Sequence, residues 1–267
     1  QVPKNTLFPI TYHYRSRFTA DVLLGMERLV SSCQEKFGSL TDSVVLDVGC
    51  NDGSLLDYFR KSGAKTIGIE PTGASQDAIK KGHITYSDYL SADLAQEIIA
   101  SHGSPDIITF TNVFAHIEDL KGVLKALEIL KTENTKIVIE NHYLGSVLDG
   151  NQFDTFYHEH PRTYSFNSFV KMANSLKVDL EAVEFPSRYG GNIRVTMGSE
   201  KNNFIDDDLI LNENNFINIF KNIDDNIKNW KERKKILLNN LFNKFGKLRA
   251  KAFPGRAAIL VKLLNLS

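Results

Sequence analysis

The chain has 267 residues, 42% of them hydrophobic, with 32 basic and 32 acidic side chains and a formal net charge of zero. That length supports a sizeable core in one or two domains, and the balanced charge provides no global field to recruit nucleic acid or an anionic membrane surface. Cys33 and Cys50 are the only cysteines, which excludes a disulfide framework and a four-cysteine zinc site within the chain. With no apolar run of about 18 residues and no signal-peptide pattern at the start, a reduced cytoplasmic setting is expected, with no membrane and no nucleic-acid partner.

In chain order, residues 18–37 read as a helix with Val22, Leu23, Met26, Leu29 and Val30 at helical spacing, placed to pack on a sheet or to roof a site. Strands are expected at 44–48, 65–69, 83–86, 106–110 and 136–140, with helices near 54–62, 73–81, 90–101 and 119–130. This alternation predicts an α/β fold, a parallel sheet covered by helices on both faces. A helix over 166–176 follows, and two apolar runs at 178–184 and 191–197 flank Pro186–Gly191 as an antiparallel closing hairpin, which makes the sheet seven-stranded and mostly parallel. From Asn202 the composition turns to Asn, Asp, Ile and Lys. There Phe216, Phe220, Ile223, Ile227, Trp230, Leu237 and Leu241 form a narrow seam on one long helix, whose partner is either another helix of the chain or a second copy, giving a homodimer through 216–241. Residues 251–262 read as a loop opening a further helix. The expected division is an N-terminal lid and helix over 1–40, a core over 41–200, and a helical C-terminal extension over 201–267.

The most specific signal is Val44-Val45-Leu46-Asp47-Val48-Gly49-Cys50-Asn51-Asp52-Gly53, a buried strand that runs into a glycine-punctuated acidic turn at a helix start. Gly49 and Gly53 allow backbone angles and close ligand approach that a side chain would block. A dinucleotide site would have glycine where this chain has Asn51. The spacing Asp47-x-Gly49-x-x-x-Gly53 instead resembles motif I of class I S-adenosylmethionine methyltransferases, which are Rossmann-like. Glu70, at the end of the second strand and about 20 residues on, is placed to accept hydrogen bonds from ribose hydroxyls. Ligands of open α/β sheets bind at the carboxyl ends of strands, so the later loops contribute too. Asp88 is an acceptor for an adenine amino group, Tyr89 a stacking surface, and Asn112 and His116 border the cofactor, with Glu140 and His142 on the same rim.

The second dense stretch is Phe153-Asp154-Thr155-Phe156-Tyr157-His158-Glu159-His160-Pro161-Arg162-Thr163-Tyr164-Ser165. If extended, it puts His158 and His160 on one face and Tyr157 and Glu159 on the other. Three readings follow: a general base, since imidazole titrates near neutral pH; a zinc or iron site from His-x-His with a carboxylate; or a polar loop that caps the next helix through Ser165. Our expectation is a site without a metal.

Val44–Gly53, Gly68-Ile69-Glu70-Pro71, Asn112 with His116-Ile117, Tyr143-Leu144-Gly145, Phe153-Asp154 with Glu159-His160, and Gly190-Gly191 with Arg194 together resemble the nucleotide-sugar C-methyltransferases of deoxysugar biosynthesis, over most of residues 10–200. The resemblance implies S-adenosylmethionine as cofactor and a small sugar or sugar-nucleotide acceptor. It also implies His160 as general base with Glu159 beside it, Tyr157 in the catalytic group, and Tyr12 or Tyr14 reaching the site, so that the early helix is a lid. Tyr12, Tyr143, His158, Asn192 and Arg194 become candidate acceptor-binding residues. The implied chemistry is removal of a proton next to the ketone of a 4-keto sugar, followed by methyl transfer to carbon. Alternatives are an O- or N-methyltransferase acting on a bacterial surface-polysaccharide precursor and a non-catalytic binding subunit of the same fold. Relatives of this kind carry an N-terminal cysteine-ligated zinc domain and a second Rossmann-like domain that would open near Ala252, so the chain reads either as a shortened relative or as part of a longer protein.

Overall fold

In the computed structural model, residues 2–199, 204–249 and 257–266 are described. A short helix α1 (Lys4–Leu7) and an irregular stretch precede α2 (Ala20–Phe37). The alternating region then follows as β1 (Val44–Val48), α3 (Ser54–Lys61), β2 (Lys65–Ile69), α4 (Ser75–Lys80), β3 (Ile84–Tyr86), α5 (Ala92–His102), β4 (Ile107–Thr111), α6 (Leu120–Leu130) and β5 (Lys136–His142). After α7 (Leu144–Asp149) and α8 (Phe166–Leu176), β6 (Asp179–Glu184) and β7 (Asn192–Gly198) close the sheet. The strand order is β3-β2-β1-β4-β5-β7-β6; β7 runs antiparallel to β5 and to β6, and every other pairing is parallel.

Side-chain alternation along the strands builds two layers on the sheet. Val45, Ile107 and Val138 face α2 and α3, where Val22, Met26, Leu29, Leu55 and Phe59 pack on them. Their neighbours Leu46, Ile108, Ile137 and Ile139 face the opposite side and join α5, α6 and α8 through Ile98, Leu127, Phe166 and Phe169. The 18–37 helix therefore packs on the sheet, and the roof of the site is made by the segment before it.

The C-terminal helices depart from expectation. In place of one seam helix over 216–241 there are α9 (Asp207–Asn214), α10 (Phe216–Lys221) and α11 (Ile223–Phe245), with α12 (Ala257–Leu264) after them. The chain bends at Asn222, whose amide bonds back to Ile219 in a tightened turn. The cause is tertiary: Phe216 packs on Tyr143, Phe220 on Phe156 and Trp230 on Phe153, with ring centroids 6.3, 6.0 and 5.0 Å apart. Phe216 and Trp230 are thus partly buried against the chain itself, while Phe220 stays 51% exposed. The loop expected at 251–256 lies outside the described residues, while α12 follows where a helix was expected.

Ser165 caps α8 as expected, with a reciprocal bond from Ser168. The first amides of that helix also need acceptors, and Glu213 of α9 supplies them, taking Phe166 N at 2.6 Å and Asn167 N at 2.8 Å. This remote carboxylate pins the extension to the core. Replacement Glu213→Ala is expected to destabilise the fold by roughly 1–3 kcal/mol, because two buried amides lose a charged acceptor. Urea unfolding measures it, and an unchanged midpoint would refute the pinning role.

Candidate active site

The site lies where the carboxyl ends of β1, β2 and β4 meet the N-terminal segment, around a cavity of about 230 Å³. Its cofactor-side wall contains Asp47, Gly49, Asn51, Glu70, Asp88, Tyr89 and Asn112. Gly49 and Gly53 both have positive φ, 77° and 73°, and a Cβ at Gly49 would overlap Val113. Asn51 holds φ of 51°, a left-handed conformation that asparagine tolerates better than most residues. Glu70 is buried and oriented by two amides, Asn51 N to Oε2 at 3.0 Å and Thr72 N to Oε1 at 2.9 Å, which leaves a lone pair on each oxygen for a diol. The exposed Asp88 accepts from the amide of Tyr89 at 2.7 Å. This cradle fits a nucleoside bearing an amino-acid tail: the glycine turn allows close approach, Glu70 has lone pairs placed for a ribose diol, and Tyr89 offers a ring.

Asp47 is fully enclosed at the cavity floor, where Thr109 Oγ1 donates to it at 2.7 Å. Burial, opposed by that bond and reinforced by the charge of Glu70, raises its pKa to about 7.

The roof is the N-terminal segment, latched by polar bonds at its carboxyl end. Asn51 Oδ1 accepts from Ser16 N at 3.0 Å, Asn51 Nδ2 donates to the Tyr14 carbonyl at 3.2 Å, Asp52 Oδ2 accepts from Arg17 N at 3.1 Å, and Arg15 Nε meets Asp77 at 2.6 Å. Farther back, Gly73 N donates to the Ile10 carbonyl at 2.9 Å, Lys4 lies over the Tyr89 ring, and Phe8 packs edge-on against His116. Tyr12 and Tyr14 both line the cavity. Tyr12 is pushed up to about 12 by burial and then by Glu159 and Glu70, so it keeps its proton and acts as a donor.

On the opposite side, the 153–165 loop forms a turn, closed by His160 N on the Tyr157 carbonyl at 2.9 Å. This corrects the extended reading: Tyr157 and His160 come together, ring centroids 4.6 Å apart, while His158 is exposed. The His-x-His pair therefore does not converge, and among the described residues no group of three His, Cys, Asp or Glu is arranged to hold a metal ion. The loop is tied down by His116, whose Nδ1 donates to the Glu159 carbonyl at 2.7 Å, and by Arg162, which donates to the Ile117 carbonyl. His160 Nδ1 donates to the Thr155 carbonyl at 3.0 Å. A carbonyl only accepts, so both rings carry a proton on Nδ1. His116 lines the cavity, and burial pushes its pKa down. His160 stands 4.9 Å from His116 and 5.4 Å from His142, centroid to centroid. Glu159 takes the Tyr157 hydroxyl at 3.1 Å.

Three expected acceptor-binding residues sit elsewhere. Tyr143 is buried in the core between Phe185 and Phe216, away from the cavity. Asn192 and Arg194 are buried around Glu140: Asn192 Nδ2 donates to Oε1 at 2.9 Å, and Arg194 Nε and Nη2 each reach Oε2 at 2.8 Å. They hold a carboxylate of the chain itself. The residues that sequence reading missed are Asp52, Asp77, Arg15 and Arg188. Asp52 had a local signal, since Asp-x-Ser ahead of a helix is a capping pattern and Asp52 indeed accepts from Ser54 N and Oγ. The others pair across 48 or more residues and leave no local trace.

The chain belongs to the methyltransferase-domain family, which matches residues 17–185. It is 29% identical over 188 residues to the C-methyltransferase NovU of Streptomyces niveus, covering 69% of this chain and 44% of that protein. It is 32% identical over 104 residues to a ubiquinone biosynthesis O-methyltransferase of Acinetobacter baumannii, covering 36% of this chain and 42% of that one. The chain thus spans less than half the length of these relatives. Among solved structures, magnesium protoporphyrin IX methyltransferase of Synechocystis with bound SAH superposes with a TM-score of 0.51 at 16% identity over 67% of this chain and 84% of that one. An S-adenosylmethionine-dependent methyltransferase of Clostridium acetobutylicum gives 0.52 at 12% identity over 65% and 90%. These likenesses establish the fold: a Rossmann-like class I domain with a seven-stranded, mostly parallel sheet. The family uses S-adenosylmethionine as its cofactor.

Two outcomes test the cofactor side. Replacing Glu70 with Ala is expected to weaken SAH at least tenfold in calorimetry, since hydrogen bonds to a charged acceptor contribute about 1.5–3 kcal/mol each; unchanged affinity would displace Glu70 from the ribose. For Asp47, the native carboxyl keeps its proton where the unfolded chain, at 3.8, has lost it, so stability falls as pH rises from about 4 to about 7. Asp47→Asn should therefore match the parent below pH 4 and exceed it by roughly 4 kcal/mol at pH 8, because each pKa unit corresponds to about 1.4 kcal/mol. A difference that does not vary with pH would count against this ionisation.

Proposed function

We propose that the chain transfers a methyl group from S-adenosylmethionine to a carbon made acidic by a neighbouring ketone, on a small sugar-type acceptor such as a keto-sugar nucleotide. When bound, the cofactor supplies an electrophilic methyl on a sulfonium. The observation that carries the reading is the imidazole cluster behind the cofactor cradle, where His160 and His116 pack together and each donates Nδ1–H to a backbone carbonyl. Similarity to NovU over 188 residues supports transfer to carbon.

A carbon acceptor must lose a proton before it can attack, and a base with a near-neutral pKa can take it at working pH. We assign that step to His160, with Glu159 and Tyr157 arranged around it and with a donor for the developing enolate oxygen in Tyr12 or Tyr14. Tyr12 suits the role because its raised pKa keeps the phenol protonated. The roof over the cavity excludes water and holds the reactants in register, an effect that can contribute about 7 kcal/mol or more to lowering the barrier.

A second reading has its own observation: His116, unlike His160, is part of the cavity wall. It would exchange the two histidines as base and positioning group. The variants His160→Asn and His116→Asn separate them, assayed with labelled cofactor on a panel of 4-keto nucleotide sugars and surface-polysaccharide precursors. His160→Asn is expected to lower turnover by 100-fold or more, roughly the contribution of general base catalysis, with SAH affinity unchanged. Turnover retained in His160→Asn and lost in His116→Asn would move the base to His116. Solvent deuterium entering the acceptor next to the ketone marks carbon rather than oxygen transfer.

A further inference from the structure

The cavity has a charged group that the cofactor cradle and the histidines leave unused. Arg188 lines it from the β6–β7 loop, with its side chain 5% exposed. Nη1 donates to Glu140 Oε1 at 3.2 Å, while Nε and Nη2 have no hydrogen-bond partner. Glu140 needs little from Arg188, because Arg194 covers its other oxygen with two nitrogens and Asn192 covers the first. Nearby Glu184 is itself shared between Arg194 and Lys36. Arg188 is thus a buried cation only part of whose charge is answered, and unpaired charged donors are costly in such surroundings.

The open nitrogens are not a random pair. Nε and Nη2 form one edge of the guanidinium, the edge whose parallel N–H groups match the two oxygens of a carboxylate. The other sides are occupied: Glu140 holds Nη1, the Tyr189 ring lies 5.1 Å from the guanidinium carbon, and the α2 backbone at Gly25 is so close that a Cβ there would overlap the group. Arg188 lines the cavity here, with both unpartnered nitrogens fully buried.

Position in the sheet distinguishes two sources of carboxylate, the acceptor and the amino-acid tail of the cofactor. Arg188 is anchored to β5 through Glu140, whereas the ribose contact Glu70 follows β2, with β1 and β4 between them. Its neighbour Tyr189 meets His142, and His142 meets His160, at 5.6 and 5.4 Å between centroids. The edge therefore belongs to the histidine side. We propose that Arg188 is a carboxylate receptor that selects an acidic acceptor, of the sugar-acid class, and seats it by a bidentate ion pair. This deepens the methyl-transfer reading and rests on it for the word acceptor, although the anion site itself does not.

The probes are oxalate, SAH and 5′-methylthioadenosine, which lacks the amino-acid tail, titrated calorimetrically into the full chain and into Arg188→Gln and Arg188→Lys. Expected is saturable oxalate binding to the SAH-loaded parent, weakened at least tenfold in both variants because Lys keeps the charge but not the fork, with SAH and methylthioadenosine unaffected. Gly25→Ala, which displaces the guanidinium while keeping it, should weaken oxalate likewise. Absent oxalate binding in the parent, or equal binding in Arg188→Gln, overturns the proposal. A loss of SAH affinity with methylthioadenosine unchanged also overturns it, by giving the edge to the cofactor tail. If the parent fails to bind SAH, the methyl-transfer reading falls instead, and the oxalate titration on the free protein still decides the anion site.

Discussion

A carboxylate with no exposure to water is among the most expensive groups a fold can carry, and Glu140 is such a group at the end of β5. It is tolerable because two arginines and an asparagine surround it. All three donors come from β7 and the loop before it, so the same interaction that makes the carboxylate affordable fixes the last antiparallel pairing. Glu140 lies directly opposite Arg194 in the ladder. A slip of one residue would carry Arg194 to the other face and leave the charge unpaired. Arg188 reaches the cavity wall from the loop before β7, with Nη1 on Glu140.

The cofactor side is organised by a different device. Asn51 stands in a left-handed conformation at the turn and uses its amide to orient Glu70 and its side chain to hold the roof. Asn51 therefore touches both cradle and cover, alongside Thr72 on Glu70 and Asp52 and Asp77 on the roof. Asp47 and Glu70 meanwhile place carboxyl groups at the cavity, one of them at a pKa of about 7. A positively charged ligand entering beside Asp47 favours its ionised form and offsets part of the burial cost, so charge complementarity and the raised pKa are two aspects of one arrangement.

What the sequence revealed was whatever depends on near neighbours. Strand alternation, the glycine turn, the carboxylate after β2 and the Ser165 cap are all encoded within a few residues, and β1, β2 and α8 have the expected bounds. The 153–165 loop was misjudged because nothing in its composition distinguishes an extended run from a turn; the turn is imposed from outside by His116 and Arg162. Tyr143 and Arg194 were polar residues in a suggestive place, but their partners Phe216 and Glu140 are distant in sequence, and only those partners decide which way each side chain faces. The seam at 216–241 had helical spacing throughout, yet the core captured its first aromatic residues and bent the chain at Asn222.

The histidine side follows from the same physics of proximity. His116 and His160 each donate Nδ1–H to a backbone carbonyl, of Glu159 and Thr155 respectively, which orients both rings. With ring centroids 4.9 Å apart, protonation of one raises the cost of protonating the other. Burial pushes His116 down and Tyr12 up, so an imidazole and a phenol that line the same cavity are both held neutral, the combination that proton abstraction with stabilisation of a neighbouring oxyanion requires.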